Sequence, residues 1–267
     1  MRENVQKNRR FRGTPRGFHW AVMPILFLVV WEMAAIAINN QFILPRLGSV
    51  AVVLATPFSP ILGSGSLVDN AIDSLQRVVV GFAVGAALAV PLGVAMGRWS
   101  TVDRLVDPLI QVFRPIPPLA WVPLALAWFK IGLASMVFII ALGSFFPVLL
   151  NTLDGVRSVK RTWIEAAMTL GATERQVLTK VILPGALPTI WTGMRVGFGI
   201  AWMCVVAAEM MPGTNSGLGY LILYAYNFSQ VQVIIAGMIV IGLIGLGIDT
   251  GLRRFEERKF RWRELER

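Results

Sequence analysis

The sequence predicts an all-α polytopic membrane protein of about six transmembrane helices. Composition is the first reason. Hydrophobic residues fill 55% of the 267 positions and charged residues 15%, whereas a soluble globule carries about 25% charged residues. Length is the second: several apolar runs reach the roughly 20 residues that a helix needs to cross a bilayer. Charge placement is the third. The net charge of +10 is compatible with nucleic-acid binding. Yet the Lys and Arg residues cluster at the ends of apolar runs, as the positive-inside rule requires of cytoplasmic loops. The expected partner is therefore the lipid bilayer and not nucleic acid. Cys204 is the only cysteine, so no internal disulfide can form, and within its apolar run it reads as a core residue. His19 is the only histidine and no HExxH occurs, so no metal site is expected.

Residues 1–19 form a basic tail, with Arg2, Lys7, Arg9, Arg10, Arg12 and Arg16 against Glu3. The tail is expected on the cytoplasmic side. The apolar stretch behind it is too long for a signal peptide and has no small-residue cleavage site. Residues 20–38 read as the first span, with Trp20 suited to the interface. Glu32 lies inside it, as a functional candidate or a hydrogen-bonded structural group. Residues 39–67 are polar, rich in Pro and Gly, with Arg46 as the one basic residue, and fit an outside loop. Ser66 with Asp69 has capping-box spacing and begins a helix. Asp69, Asp73 and Arg77 follow at steps of four, so its first turns are amphipathic.

The second span, 78–96, carries Gly81, Gly85, Ala89, Gly93 and Gly97 at steps of four. Such a stripe lets another helix approach closely, either within one subunit or as a dimer seam. Arg98, Arg104 and Arg114, with Asp103 and Asp107, mark the next loop as cytoplasmic. The third span, 109–129, is interrupted by Pro115, Pro117, Pro118 and Pro123. Each proline frees a carbonyl that lipid cannot satisfy. The span is either a kinked core helix or part of a pathway, with Gln111, Arg114 and Pro117 as candidate lining residues. Lys130 ends it outside. Residues 135–153 return inward, and Arg157, Lys160 and Arg161 mark the cytoplasmic side again.

Residues 162–184 follow as two short helices with a break. Thr162 with Glu165, and Thr173 with Gln176, each have capping-box spacing. Gly171 lies between the units, where a positive φ is often needed, and Pro184 is expected to stop the second helix. Trp163, Ile164, Ala167 and Met168 make a small apolar knob suited to a partner's groove. The alternative is a hairpin that only connects two spans. Residues 190–211 span outward, with Arg195 near the inner headgroups and Glu209 and Met210 near the outer face. Residues 212–230 hold no Lys or Arg and all three tyrosines, Tyr220, Tyr224 and Tyr226. They fit an outside segment with a short interfacial helix, which is either a substrate vestibule or an aromatic anchor. Residues 231–248 are the last span, and the basic tail 253–267 sets its end inside. Both termini are thus expected in the cytoplasm of a multi-pass cell-membrane protein, with a permease domain over 20–252.

Glu165-Ala166-Ala167, three residues, Gly171, nine residues and then Val181-x-Leu183-Pro184 resembles the EAA motif of ABC-transporter membrane subunits. The flanks SLQRVVVGF, GMRVGFGIAW, AAEM and SGLG are similar to those of the nitrate, sulfonate, taurine and bicarbonate importer group. The similarity covers nearly all of the chain beyond residue 20. It implies a type I ABC importer permease, with Trp163, Ile164, Glu165, Ala166, Ala167 and Met168 docking into a cytoplasmic ATPase and Gly171 setting the angle between the coupling helices. It also implies a second permease subunit, as a homodimer, and an extracytoplasmic binding protein that delivers a small oxyanion or sulfonate. Gln111, Arg114, Pro117, Glu209, Met210, Tyr220 and Tyr224 are the candidate pathway residues. Glu209 would repel an anion unless paired. The chain has no GxxxxGK[ST] loop, so ATP and Mg are expected on the partner ATPase and no cofactor on this chain. A stand-alone channel or secondary transporter would instead need an essential midplane charge. A membrane enzyme would need a clustered catalytic set.

Overall fold

A computed structural model describes residues 16–61 and 63–260, with side chains from residue 22 onward. Residues 1–15 and 261–267, and the side chains of His19 and Trp20, lie outside this description. Among the described residues every regular element is helical.

Helix α1 (Arg16–Ile38) leads through a turn to α2 (Leu47–Ala55), a short apolar helix inside the segment expected to be a polar loop. Helix α3 (Leu67–Arg98) starts at the Ser66–Asp69 capping box, and both of its reciprocal bonds form. Helix α4 (Ser100–Phe113), a 3-10 turn at Pro118–Trp121 and α5 (Val122–Phe129) follow. Next come α6 (Leu133–Arg157), α7 (Arg161–Thr169), α8 (Glu174–Val177), a π turn at Leu178–Ile182 and α9 (Leu183–Glu209). Helices α10 (Leu218–Asn227) and α11 (Val231–Lys259) are the last of the described elements.

Helix α6 is the central member, packed between α3 and α9. Its burial follows from small residues on both neighbours. The glycine stripe of α3 faces α6 of the same chain: a Cβ at Gly81 would collide with Ile140, at Gly85 with Ser144 and at Gly97 with Val156. From the other side, Gly193 and Gly197 of α9 meet Asn151 and Val148. In a bilayer, where apolar side chains gain little by leaving lipid, such close backbone approach supplies the packing that holds helices together. The stripe is therefore an intramolecular seam.

Among the described residues four helices are long and apolar enough to cross a bilayer: α3, α6, the continuous α8–α9 and α11. The expected third span is not one straight helix. Helix α4 carries Asp103, Arg104 and Asp107 and is amphipathic, and its axis meets that of the following Pro118–Phe129 segment at 87°. Counted as one broken span, the two halves bring the number to five; the apolar run Val22–Ile38 of α1 is a shorter apolar helix. The prolines at 115, 117 and 118 cause the break, since each removes an amide and obstructs the preceding turn.

Pro184 does not stop a helix. Residues Glu174–Glu209 run as one helix of 36 residues. Pro184 sits in the first turn of α9, directly behind the π turn. The widened π turn accommodates the missing amide, and the first turn tolerates proline.

Candidate coupling hairpin and buried ion pair

Helix α7 begins at Arg161 with Lys160 as its N-cap, and no side chain caps it. Thr162 is thus already inside the helix, and the expected Thr162–Glu165 box does not form. Glu165 instead accepts from Arg161 Nε at 2.9 Å, one turn away. The second box does form: Thr173 Oγ1 accepts from the Gln176 amide at 3.4 Å, and Gln176 Oε1 from the Thr173 amide at 2.8 Å.

Between them the chain turns through a Schellman motif. The Ala172 amide donates to Ala167 O and the Gly171 amide to Met168 O, both at 3.0 Å. The motif needs a left-handed residue after the helix, and Gly171 has φ +81°. A Cβ at Gly171 would meet nothing within 4 Å, so the requirement for glycine is one of backbone conformation.

The six docking residues of α7 divide by face. Ile164 and Ala167 pack inward against a core that includes Val159, Val177 and Ile182. Trp163, Glu165, Ala166 and Met168 are exposed. Lys160 Nζ lies 5.3 Å from the centre of the Trp163 ring. Leu170 is 89% exposed, the most exposed large apolar side chain among those described. The hairpin thus offers apolar groups that its own chain leaves uncovered. Arg98 of α3 pairs with Glu174 at 3.4 Å and ties the hairpin to the bundle.

At the other end of α9 lies a buried polar cluster. Glu209 is fully buried. Its carboxylate accepts from Arg77 Nη1 at 2.8 Å, from Ser74 Oγ at 2.8 Å and from the Gly219 amide at 3.0 Å. Arg77 also donates to Ser216 O and Oγ. Ser74 Oγ accepts the Leu218 amide, and Asn70 Oδ1 the Gly217 amide. Gly217 (φ +106°) has no room for a side chain, since a Cβ there would collide with the Glu209 carboxylate. The cluster pins the start of α10 to α3 and α9. Hydrogen bonds to the remaining valences of a buried ion pair offset the cost of taking both charges out of water.

Residues 89–261 match the family described as binding-protein-dependent transport system inner membrane component. The chain belongs to this family of ABC importer permeases. Its relatives agree along almost its full length. A chain of Methanocaldococcus jannaschii named as an ABC transporter permease is 58% identical over 91% of each chain. The taurine transport system permease of Escherichia coli K12 is 38% identical over 90% of this chain and 87% of its own. The nitrate import permease of Synechocystis is 33% identical over 93% and 92%. The fold of this permease is similar to that of the MetNI methionine ABC transporter in inward-facing form, with TM-score 0.60 and 20% identity over 72% of this chain and 95% of that one.

The expected pathway residues of the permease do not converge. Gln111, Arg114 and Pro117 are exposed around the bend after α4, where Gln111 donates to Asp107 at 3.4 Å. Met210 caps α9 and is exposed. Tyr220 and Tyr224 stack on each other on α10, with ring centres 5.5 Å apart. Glu209 is paired: it is sealed in the cluster above and presents no free charge to a solute. Sequence reading placed AAEM and SGLG side by side as family signatures but did not pair Glu209 with Arg77. The local hint was Arg77, which with Asp69 and Asp73 makes the first turns of α3 polar before the apolar remainder begins.

Proposed function

We propose that this permease is the membrane subunit of an ATP-driven importer for a small oxyanion or sulfonate, delivered by an extracytoplasmic binding protein. The observation that carries the reading is the α7–α8 hairpin. Its exposed Trp163, Met168 and Leu170 stand beside a backbone turn that fixes their direction, as a docking knob requires. In this reading the hairpin end is cytoplasmic, as the basic residues Arg98, Arg157, Lys160 and Arg161 around it favour. The Arg77–Glu209 end then faces outward.

The mechanism is alternating access. ATP binding closes a partner ATPase dimer, which holds the ATP and Mg and moves the hairpin. The hairpin continues without a break into α9, so its displacement passes along a helix of about 54 Å, at 1.5 Å per residue. Two permease subunits, as a homodimer, enclose the route. The names of the taurine and nitrate relatives support the solute class. Tyr220 and Tyr224 would border the outer mouth, and Gln111, Arg114 and Pro117 the inner bend.

Co-purification with a partner ATPase tests the proposal. The wild-type complex should elute together and hydrolyse ATP. A Glu165→Ala, Gly171→Val double variant should lose the ATPase or its stimulation by binding protein. Solute uptake without any ATPase would favour the stand-alone transporter.

A further inference from the structure

Between α3 and the turn that joins α5 to α6 runs an apolar groove of about 470 Å³. Helix α6 contributes Ala134, Phe138, Ala141 and Phe145, whose steps of three and four keep them on one helix face. Val84 and Leu88 of α3 and Phe129 of α5 line the remainder, and all three are exposed. The depth of the groove follows from small residues set among large ones, with Gly85, Ala134 and Ala141 between the phenylalanines. The rings of Phe129 and Phe138 lie 5.3 Å apart and join α5 to α6 at this place.

The groove has the depth of one leaflet. From Ala134 to Phe145 it extends about 16 Å along α6, at 1.5 Å per residue. Half of a hydrocarbon core roughly 30 Å thick is about 15 Å. It begins at the end where α6 starts, and there stands Lys130. This residue directly follows Phe129, is exposed, and among the described residues makes no ion pair. Arg77, which shares the adjoining cavity with Gly132, is already matched by Glu209. Asp73 of that cavity does not pair with Lys130.

A groove left empty in lipid forfeits the dispersion contacts of its lining side chains. A lysine at a bilayer boundary reaches toward the headgroups, where a phosphate gives it a charge-assisted hydrogen bond. The two features stand as the parts of one lipid molecule do, with the anion at the boundary and the tail through the same leaflet. We propose that this groove holds an acyl chain of an anionic phospholipid whose phosphate pairs with Lys130. A second copy laid over the groove would account for the apolar lining but not for the cation at its mouth. The inference needs only that α6 crosses the bilayer; in the permease reading the leaflet is the outer one.

Native mass spectrometry of the full chain, released from nanodiscs of equal phosphatidylglycerol and phosphatidylcholine, tests the site. Wild type should retain phosphatidylglycerol at least threefold over phosphatidylcholine. Lys130→Gln should bring the two lipids to parity, and Lys130→Arg should keep the preference. Val84→Trp and Ala134→Trp, both at exposed positions, fill the groove and should lower bound lipid at least threefold whatever its headgroup. Equal retention in wild type, an unchanged preference in Lys130→Gln, or full retention in both tryptophan variants would each overturn the site. Val84→Cys on a Cys204→Ser background probes the other cover. A disulfide-linked pair of chains under oxidant would overturn the proposal, and single chains that still carry phosphatidylglycerol would support it.

Discussion

Glu32 on α1 accepts the backbone amide of Leu47, the first residue of α2, at 2.8 Å. Beside it Trp31 Nε1 donates to Pro45 O at 3.0 Å. The carboxylate thus serves the N-terminus of α2, where a negative charge also meets the positive end of the helix dipole. Replacing it with alanine should cost about 1 kcal/mol, as for other helix caps. Glu32→Gln keeps an acceptor, and its uptake in reconstituted vesicles should match wild type. Abolished uptake by a stably folded Glu32→Gln would return the carboxylate to the transport route.

The Arg77–Glu209 pair predicts a much larger loss. Glu209→Ala leaves the guanidinium, Ser74 and the Gly219 amide without their acceptor, and removing one partner of a buried pair costs roughly 3–5 kcal/mol. Cys204 is the only cysteine and is buried, so its labelling by a maleimide dye on heating reports unfolding directly. Glu209→Ala should label at a clearly lower temperature than wild type, and Glu209→Gln in between. Wild-type labelling of Glu209→Ala would mean that the cluster does not hold the bundle.

At Gly171 the expected effect is on docking. The left-handed conformation costs an ordinary L-residue about 1–2 kcal/mol, and asparagine pays least of these. Gly171→Asn should still co-elute with the ATPase, whereas Gly171→Val should release it. Because a side chain at this position meets open space, any loss of thermal stability should come from the backbone turn alone and be smaller in Gly171→Asn than in Gly171→Val.

The α3–α6 seam separates glycines that matter from those that do not. Gly97→Ala drives a methyl group into Val156, and overpacking of this kind costs about 1–3 kcal/mol. Gly242→Ala on α11 meets nothing within 4 Å and should leave dye labelling of Cys204 unchanged or delayed. Equal behaviour of the two variants would argue against the seam.

Features encoded by local spacing were legible in the sequence. The Ser66–Asp69 and Thr173–Gln176 boxes, the left-handed Gly171 and the small-residue stripe each depend on residues within a few turns of one another. Where two local signals competed, the reading failed. Thr162 has the spacing of a cap, but α7 starts at Arg161 and leaves the threonine inside the helix. Pro184 has the character of a stop, but the preceding π turn carries the helix past it. The bend after α4 was legible as proline disruption but not as an 87° turn, because the direction of a break depends on what packs against both halves. The ion pair was out of reach altogether, since Arg77 and Glu209 are separated by 132 positions and no periodicity links them.

That separation also orders the making of the protein. When α3 enters the membrane during synthesis, the residue that will neutralise Arg77 has not yet been translated. A guanidinium without its partner is costly in hydrocarbon, so the start of α3 must stay near headgroups and water until α9 has been inserted. Closure of the bundle must therefore wait for α9, and a chain that ends before α9 carries Arg77 without its partner.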